Sequence, residues 1–316
     1  MSCNTCFVLG AGFSAPAGIP PQKDLLRDIA RSDDEKARRH IQDIFGLDHS
    51  VDALNEVSLE DVFTFLDKII SRNGSVGVFN LVTAYQAKGD LINYIVRKFN
   101  ASLREMRGER KYEYFFNAIA NRKIVDGETN TIVTFNWDTI PDFYITRAFK
   151  FLGKNNGVDY GCYDLDYDKW VRSKQTDRVP SILRAAKGYK TIKVLKPHGS
   201  INWAYQKDKE AILVKEQTGA FPEGLLFEDD DHTDHEHVLM TPTFTKDLSS
   251  QHIQSIWQNI HIDMEAAKRI LFLAACSTLN NSIKNSRDFT LFEAAFGVFR
   301  VNFCGKPQKS LIFSAL

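Results

Sequence analysis

The stretch that decides the fold is Cys6-Phe7-Val8-Leu9-Gly10-Ala11-Gly12-Phe13-Ser14, near the start of a chain of 316 residues. Its first four residues form a short apolar run that predicts a buried strand. Because Gly-x-Gly follows directly, backbone N–H groups can approach a pyrophosphate closely there. A second apolar run, Thr191 to Leu195, ends just before Lys196-Pro197-His198-Gly199-Ser200. In a parallel α/β sheet both runs would end at the carboxyl edge, so the sequence predicts a nucleotide pocket that contains a histidine.

The composition narrows the class of protein. The chain is 43% hydrophobic and 25% charged, which suits one large domain or a core with an inserted module. A formal net charge of +0 provides no signal for nucleic acid or an anionic membrane. No segment approaches ~20 uninterrupted apolar residues, so we expect no membrane span. The N-terminus lacks a secretory pattern, and the 5 cysteines are sparse and odd in number, which favours a cytoplasmic location.

The order of predicted elements indicates an α/β fold. Helical patterns cover 22–31, 33–45, a capped start at Ser58, 79–106 and 112–122. Further strands are predicted at Thr131–Phe135, Thr191–Leu195 and Arg269–Ala274. We therefore predict a Rossmann-like parallel sheet formed by residues 1–32 and 124–316, with residues 33–123 as a helical insertion. The insertion is expected to serve assembly or gating rather than chemistry.

The stretch between the last two predicted strands is expected to be irregular. It contains the acidic, histidine-rich run Asp229 to His237, whose composition allows a metal site. We interpret this run as a solvated acidic loop. Trp203 and Tyr205, which alternate after the histidine segment, are expected to pack in the core.

The glycine loop nearly fits the dinucleotide-binding fingerprint, with Gly10-x-Gly12-x-x-Ala15. A nicotinamide oxidoreductase would also need a second strand that ends in an acidic residue ~20 positions on. Here Asp33-Asp34-Glu35 falls in charged helical sequence with no strand before it. The loop therefore favours a phosphate cradle over an oxidoreductase, and an ordinary strand-to-helix turn remains the alternative.

Three ordered motifs resemble the sirtuin (Sir2) superfamily. Gly10 to Pro20 reads GAGFSAPAGIP and resembles its NAD-binding loop, Thr134-Phe135-Asn136-Trp137-Asp138 its Thr-x-Asn-x-Asp segment, and Lys196 to Ser200 its catalytic histidine segment. The resemblance implies a Sir2-type, DHS-like fold. Pro21-Gln22-Lys23 replaces the Asp-Phe-Arg that deacylases usually carry. The chain also lacks the two Cys-x-x-Cys pairs of their zinc ribbon, because Cys3/Cys6 is the only such pair. This combination is similar to prokaryotic anti-phage Sir2-like proteins that hydrolyse NAD.

The resemblance implies a set of site residues. Asn136 would hold a water and a ribose hydroxyl, His198 would accept a proton, and Asp138 would either orient the site or bind a ribose hydroxyl. Ser200 and Asn202 are candidates for the adenosine side. The segment Ala274 to Asn281 departs from the family pattern, which puts that side of the site in doubt. The residues expected to bind NAD are Gly10, Ala11, Gly12, Phe13, Ser14, Gly18, Ile19, Pro20, Gly199 and Ser200.

The activity that this resemblance implies is hydrolysis of NAD to nicotinamide and ADP-ribose, with NAD as substrate and no metal. The implied context is an oligomeric defence protein, gated by a helicase or nuclease partner or by a phage trigger. Two alternatives stay open. One is NAD-dependent protein deacylation, and the other is a non-catalytic sensor of NAD or ADP-ribose that controls a partner.

Overall fold

The structure is a computed structural model that describes residues 3–45, 54, 57–106, 109–152, 158–161, 165–166, 191–206, 211–215, 217, 221–222, 224, 235–243, 251–274, 298–302 and 310–315. In these ranges the strands are β1 Thr5–Leu9, β2 Asn130–Thr134, β3 Val158–Asp159, β4 Leu165–Asp166, β5 Ile192–Leu195, β6 Gly199–Gln206, β7 Ala211–Val214, β8 His235–Leu239, β9 Arg269–Ala274, β10 Val298–Asn302 and β11 Ser310–Ala315. The helices are α1 Ala11–Ser14, α2 Gln22–Ala30, α3 Glu35–Phe45, α4 Leu59–Arg72, α5 Leu81–Arg104, α6 Glu109–Asn121, α7 Ile140–Phe151 and α8 Gln251–Ala266. None of the described helices has the length and apolar character that a bilayer span requires.

The main sheet has the strand order β10-β11-β9-β1-β2-β5-β3. Neighbours from β11 to β3 pair in parallel, and β10 pairs antiparallel to β11 at the edge. From β1 the chain builds outward through β2 and β5, and it later adds β9 on the other side of β1. The strand order therefore reverses at β1, and ligands of such sheets bind at the carboxyl ends beside this reversal. The predicted α/β class with a Rossmann-like parallel sheet is confirmed.

The two faces of the sheet bury different partners because side chains alternate along each strand. Phe7 and Leu9 of β1 join a hydrophobic cluster with helices α2 to α7. Cys6 and Val8 of the same strand face the other way, into a cluster with Ile256 of α8 and with the smaller sheet. Both faces are covered, which explains why β1 reads as a continuous apolar run rather than an alternating one.

The helical segment between β1 and β2 follows the sequence prediction closely. Helix α4 begins with a capping box in which Ser58 Oγ accepts from the Asp61 N–H and the Asp61 carboxylate accepts from the Ser58 N–H. A second capping box, made by Asn80 and Thr83, starts α5. The helices share one hydrophobic cluster with the sheet, and Phe13 in the glycine loop packs edge-on against Tyr112 of α6 at 5.3 Å. The domain boundaries at 33 and 123 stay a prediction.

The expectation of irregular chain between β5 and β9 is wrong for the described residues. A second sheet with the order β4-β7-β6-β8 lies there, followed by α8. Its main strand, β6, is buried on both sides from Gly199 to Ala204, so it lacks the alternation that marks a half-buried strand. Residues 229–234 of the acidic run lie outside the described residues, whereas His235–Leu239 form β8 rather than a solvated loop. Trp203 is fully buried, as predicted.

Candidate active site at the carboxyl edge

A cleft of about 190 Å³ opens at the carboxyl ends of β1, β2 and β5. The residues that line this cleft come from the strand ends, from the helical segment and from the chain after β8: Ala11, Ser14, Ile19, Pro20, Pro21, Gln22, Leu25, Glu60, Phe99, Phe135, Asn136, Trp137, Asp138, His198, Met240 and Pro242. The three sequence motifs therefore meet at one cleft, as the sequence predicted from parallel strand ends.

The Asn136 side chain is held by the glycine loop. Its Nδ2 donates to the Gly10 backbone oxygen and to Ser14 Oγ, both at 2.8 Å. Because Gly10 O can only accept, these contacts orient the amide with nitrogen toward the loop. Both amide hydrogens are then used within the protein, and Oδ1 remains as an acceptor beside the cleft. Of the groups on the Asn136 amide, only this oxygen is then left for the predicted role of holding a water and a ribose hydroxyl.

Asp138 lies behind Asn136 and is only 1% exposed. Its Oδ2 accepts from the Ser14 hydroxyl at 2.6 Å, and its Oδ1 accepts from the Ile140 N–H at 3.0 Å. Burial raises the pKa of Asp138, and the nearby Lys196 ammonium acts against that shift. With both carboxylate oxygens engaged, Asp138 positions Ser14, and Ser14 in turn contacts Asn136. Of the two roles that the sequence left open, the geometry favours orientation over contact with a ribose hydroxyl.

His198 is half-buried and lines the cleft, with its ring 5.2 Å from the ring of Phe135. Its backbone oxygen accepts from the Met240 N–H at 2.9 Å, which ties the histidine segment to the chain after β8. Gly199 has φ of +76°, and a Cβ there would lie 1.9 Å from the Val238 oxygen. Only glycine fits this close approach, so Gly199 fixes the path of the backbone and does not line the cleft.

The glycine loop is more engaged than the fingerprint suggests. The Gly10 N–H donates to Leu273 O at 3.2 Å, and the Phe13 N–H donates to Gly10 O at 2.9 Å. The amides of Ala11 and Gly12, in the first turn of α1, have no acceptor within the helix. Phe13, which the sequence placed on the pocket wall, lies in the core beneath the loop instead, and Tyr112 Oη donates to its backbone oxygen at 2.8 Å.

The remaining predicted residues divide between the cleft wall and the buried core. Gly18 has φ of +79° and ends a short 3₁₀ helix, which leads Ile19 and Pro20 onto the wall. Ser200 is fully buried and contacts Lys196. Asn202, also buried, donates from Nδ2 to Lys215 O at 3.0 Å. Residues 275–281, where the adenosine side was in doubt, lie outside the described residues.

Sequence reasoning missed two features of the site. Glu60 of α4 and Phe99 of α5 line the cleft from the helical segment, and the Phe99 ring lies 6.3 Å from that of Trp137. The helical segment therefore builds one wall of the cleft, beyond any role in assembly. Lys196 was quoted only as part of a motif, yet it is fully buried under the histidine segment. A lysine that directly follows an apolar strand was the available signal.

Metal-binding groups do not converge in the part of the chain that the structure describes, where no three His, Cys, Asp or Glu side chains form a metal-holding group. Cys3 and Cys6 are both free and buried, and burial raises the pKa of each thiol. The other three cysteines, at positions 162, 276 and 304, lie outside the described residues.

Comparison with known proteins finds no family model and no curated protein that matches this chain. Function is therefore inferred from the cleft and its chemistry.

Proposed function

We propose that this chain is a Sir2-like NAD glycohydrolase that cleaves NAD to nicotinamide and ADP-ribose. The observation that carries the proposal is the arrangement of Asn136 and His198 on one cleft, next to the glycine loop at the carboxyl edge. The neutral acceptor Oδ1 of Asn136 and the imidazole of His198 lie beside a glycine loop of the type that binds phosphate groups. This arrangement suits cleavage of an N-glycosidic bond at a ribose carbon. The three motifs that resemble the sirtuin superfamily supply the choice of NAD.

The proposed reaction needs little acid catalysis. The bond between the ribose C1′ and the pyridinium nitrogen breaks, its electron pair stays on nitrogen, and neutral nicotinamide leaves. Positive charge develops on the ribose and is relieved when a water oxygen bonds to C1′. The water proton passes to His198, whose imidazole can accept it near neutral pH.

Asn136 would accept a hydrogen bond from that water or from a ribose hydroxyl through Oδ1, because its N–H groups are already used. Asp138 would keep Ser14 and hence the Asn136 amide in place. A fixed ribose and a placed water together lower the entropic part of the barrier.

We also propose the context that the resemblance implies, in which an oligomeric defence protein depletes NAD once a partner or phage component triggers it. Because an ungated NAD hydrolase would harm its own cell, a gate is expected. Expression with and without phage challenge, followed by measurement of cellular NAD, tests this context.

The activity is tested by incubating the purified protein with NAD and following free nicotinamide, with and without an acylated peptide. We expect release without peptide, and no release from a folded His198→Ala variant. Release only in the presence of peptide would indicate deacylation instead. Binding of NAD without any release would favour the sensor.

A further inference from the structure

Lys196 is a fully buried cation whose ammonium group has two hydrogen-bond acceptors and one carboxylate beside it. Its Nζ donates to the Asp138 backbone oxygen and to Ser200 Oγ at 2.7 Å, and it forms an ion pair with Asp142 Oδ2 at 3.0 Å. Asp142 is itself 1% exposed and also accepts from the Tyr160 hydroxyl. The ammonium group is therefore held within the protein by two hydrogen bonds and one ion pair.

The acceptors of Lys196 flank the proposed catalytic residues. Asp138 follows Asn136 by two positions, while Lys196 and Ser200 lie two positions on either side of His198. A backbone bond from the Ile201 N–H to the Trp137 oxygen, at 2.9 Å, joins the same two loops. The Lys196 ammonium is thus a side-chain tie between the loop after β2 and the loop after β5, and the Ser200 hydroxyl adds a second one, to the Trp137 oxygen at 3.3 Å.

Stability alone is a weak reason for such a pair. Burying both charges costs desolvation energy, and apolar side chains of similar volume often replace a buried ion pair without loss of stability. Apolar side chains would not reproduce the two directed hydrogen bonds and the ion pair of Lys196. Of these contacts, the hydrogen bond to the Asp138 backbone oxygen links the loop after β5 to the loop after β2.

We propose that Lys196 is a positioning residue that sets the separation of Asn136 and His198 across the cleft. This inference rests on the proposed NAD hydrolysis. Lys196 acts through the Asp138 backbone and through Ser200 and does not touch the substrate. Loss of the ammonium should let the two loops drift apart while the glycine loop and the cleft walls keep their contacts.

The test is the double variant Lys196→Met/Asp142→Asn, which removes both charges and leaves an acceptor for Tyr160. Misplacement of reacting groups by 1 Å can cost about 10²-fold, so we expect kcat for nicotinamide release to fall by about that factor. KM for NAD should change little, because the lost interaction matters only once the reacting groups must align. The single variant Lys196→Met leaves Asp142 buried without its cation and should mainly lower the thermal stability.

The matched control is Lys193→Met/Asp263→Asn, which removes an ion pair of 3.0 Å at the other end of β5. It should keep the parent kcat even if it unfolds at lower temperature. A Lys196/Asp142 double variant with parent kcat would overturn the inference while the proposed function stands. A loss of kcat equal to that of the control would also overturn it, because general destabilisation would then explain both. A parent protein that releases no nicotinamide would overturn the proposed function, and the inference with it.

Discussion

The two ends of strand β5 each carry a lysine–aspartate pair, and the pairs sit in different surroundings. At the carboxyl end, Lys196 meets Asp142 beneath the open cleft, and both side chains are almost fully buried. Toward the amino end, Lys193 meets Asp263 of α8, and the Lys193 side chain keeps 30% of its surface exposed. Thr131 Oγ1 also donates to Asp263, at 2.8 Å.

The surroundings of the two pairs indicate whether a substitution should change the unfolding free energy or the turnover. Helix α8 closes the amino-end cluster, so its polar groups serve packing, and their loss should appear in the unfolding free energy. The carboxyl-end groups support side chains that face a cleft, so changes there should appear in turnover. The same type of ion pair is thus expected to have two separable consequences.

The largest expected effect is at the carboxyl end. A positioned general base contributes ~10²–10⁴-fold, so Asn136→Ala and His198→Ala should each reduce nicotinamide release by about that factor. The double variant should be little worse than either single one, because groups that act as a unit are not additive. Steady-state release and NAD binding are measured on each folded protein, with the exposed His261→Ala as the control. A His198→Ala variant that works at the parent rate would favour the sensor alternative.

The second effect belongs to the amino end and concerns Asp159, which pairs in register with Lys193. Burial raises the pKa of Asp159 to about 7, although the Gly161 N–H and Lys193 oppose the shift. The folded state then holds a proton that the unfolded state releases near pH ~3.9. The contribution of this proton to the free energy of unfolding is therefore fully present below pH ~4. It falls by about 1.4 kcal/mol per pH unit as the pH rises and is lost by about pH 7.

Asp159→Asn should remove that slope. Urea unfolding of parent and variant between pH 5 and 8 measures it, and the exposed Asp43→Asn on α3 serves as the control. Turnover of the Asp159→Asn variant should be unchanged. Equal slopes in the two proteins would show that Asp159 titrates near its ordinary value.

The third effect returns to the carboxyl end, with Asp138→Asn. The amide keeps the shape of the carboxylate but can no longer accept from both Ser14 and the Ile140 N–H as a charged group. Hydrogen bonds to charged groups contribute ~1.5–3 kcal/mol, so turnover should fall by roughly tenfold to 10²-fold. Asp263→Asn is the matched control, and it should lower the unfolding free energy without changing kcat. If Asp263→Asn lowered kcat and Asp138→Asn did not, the assignment of turnover effects to the carboxyl end and stability effects to the amino end would be wrong.

The smallest effect concerns Glu60, which faces the cleft from α4. A half-exposed carboxylate contributes ~0.2–1 kcal/mol to a charge pair, so Glu60→Gln should weaken binding of NAD, with its cationic ring, by up to about fivefold. Binding of the reduced form, whose ring is neutral, should not change. Calorimetric titration with both forms measures the difference, and the exposed Glu35→Gln on α3 is the control. Equal weakening of both ligands would place Glu60 away from the ring.

Local pattern was sufficient for the parts of this fold whose contacts repeat along the chain. The apolar run of β1 with its glycine loop, the capping box at Ser58 and the strand Arg269–Ala274 follow from periodicity and turn chemistry. The meeting of Asn136 and His198 could also be predicted, because parallel strands end at one edge.

Other features of the site could be read only from the tertiary structure, because they depend on contacts between segments that are distant in the sequence. The donors of Asn136 are used by Gly10 and Ser14, over a hundred residues earlier, so its free atom could not be read from its own neighbourhood. The wall residues Glu60 and Phe99 look like ordinary helix positions until the helices pack over the sheet edge. Lys196 resembles any lysine beside a proline in the sequence. Its burial is set by the place where Asp138, Asp142 and Ser200 converge, since a buried ammonium persists only where the fold supplies hydrogen-bond acceptors and an opposite charge.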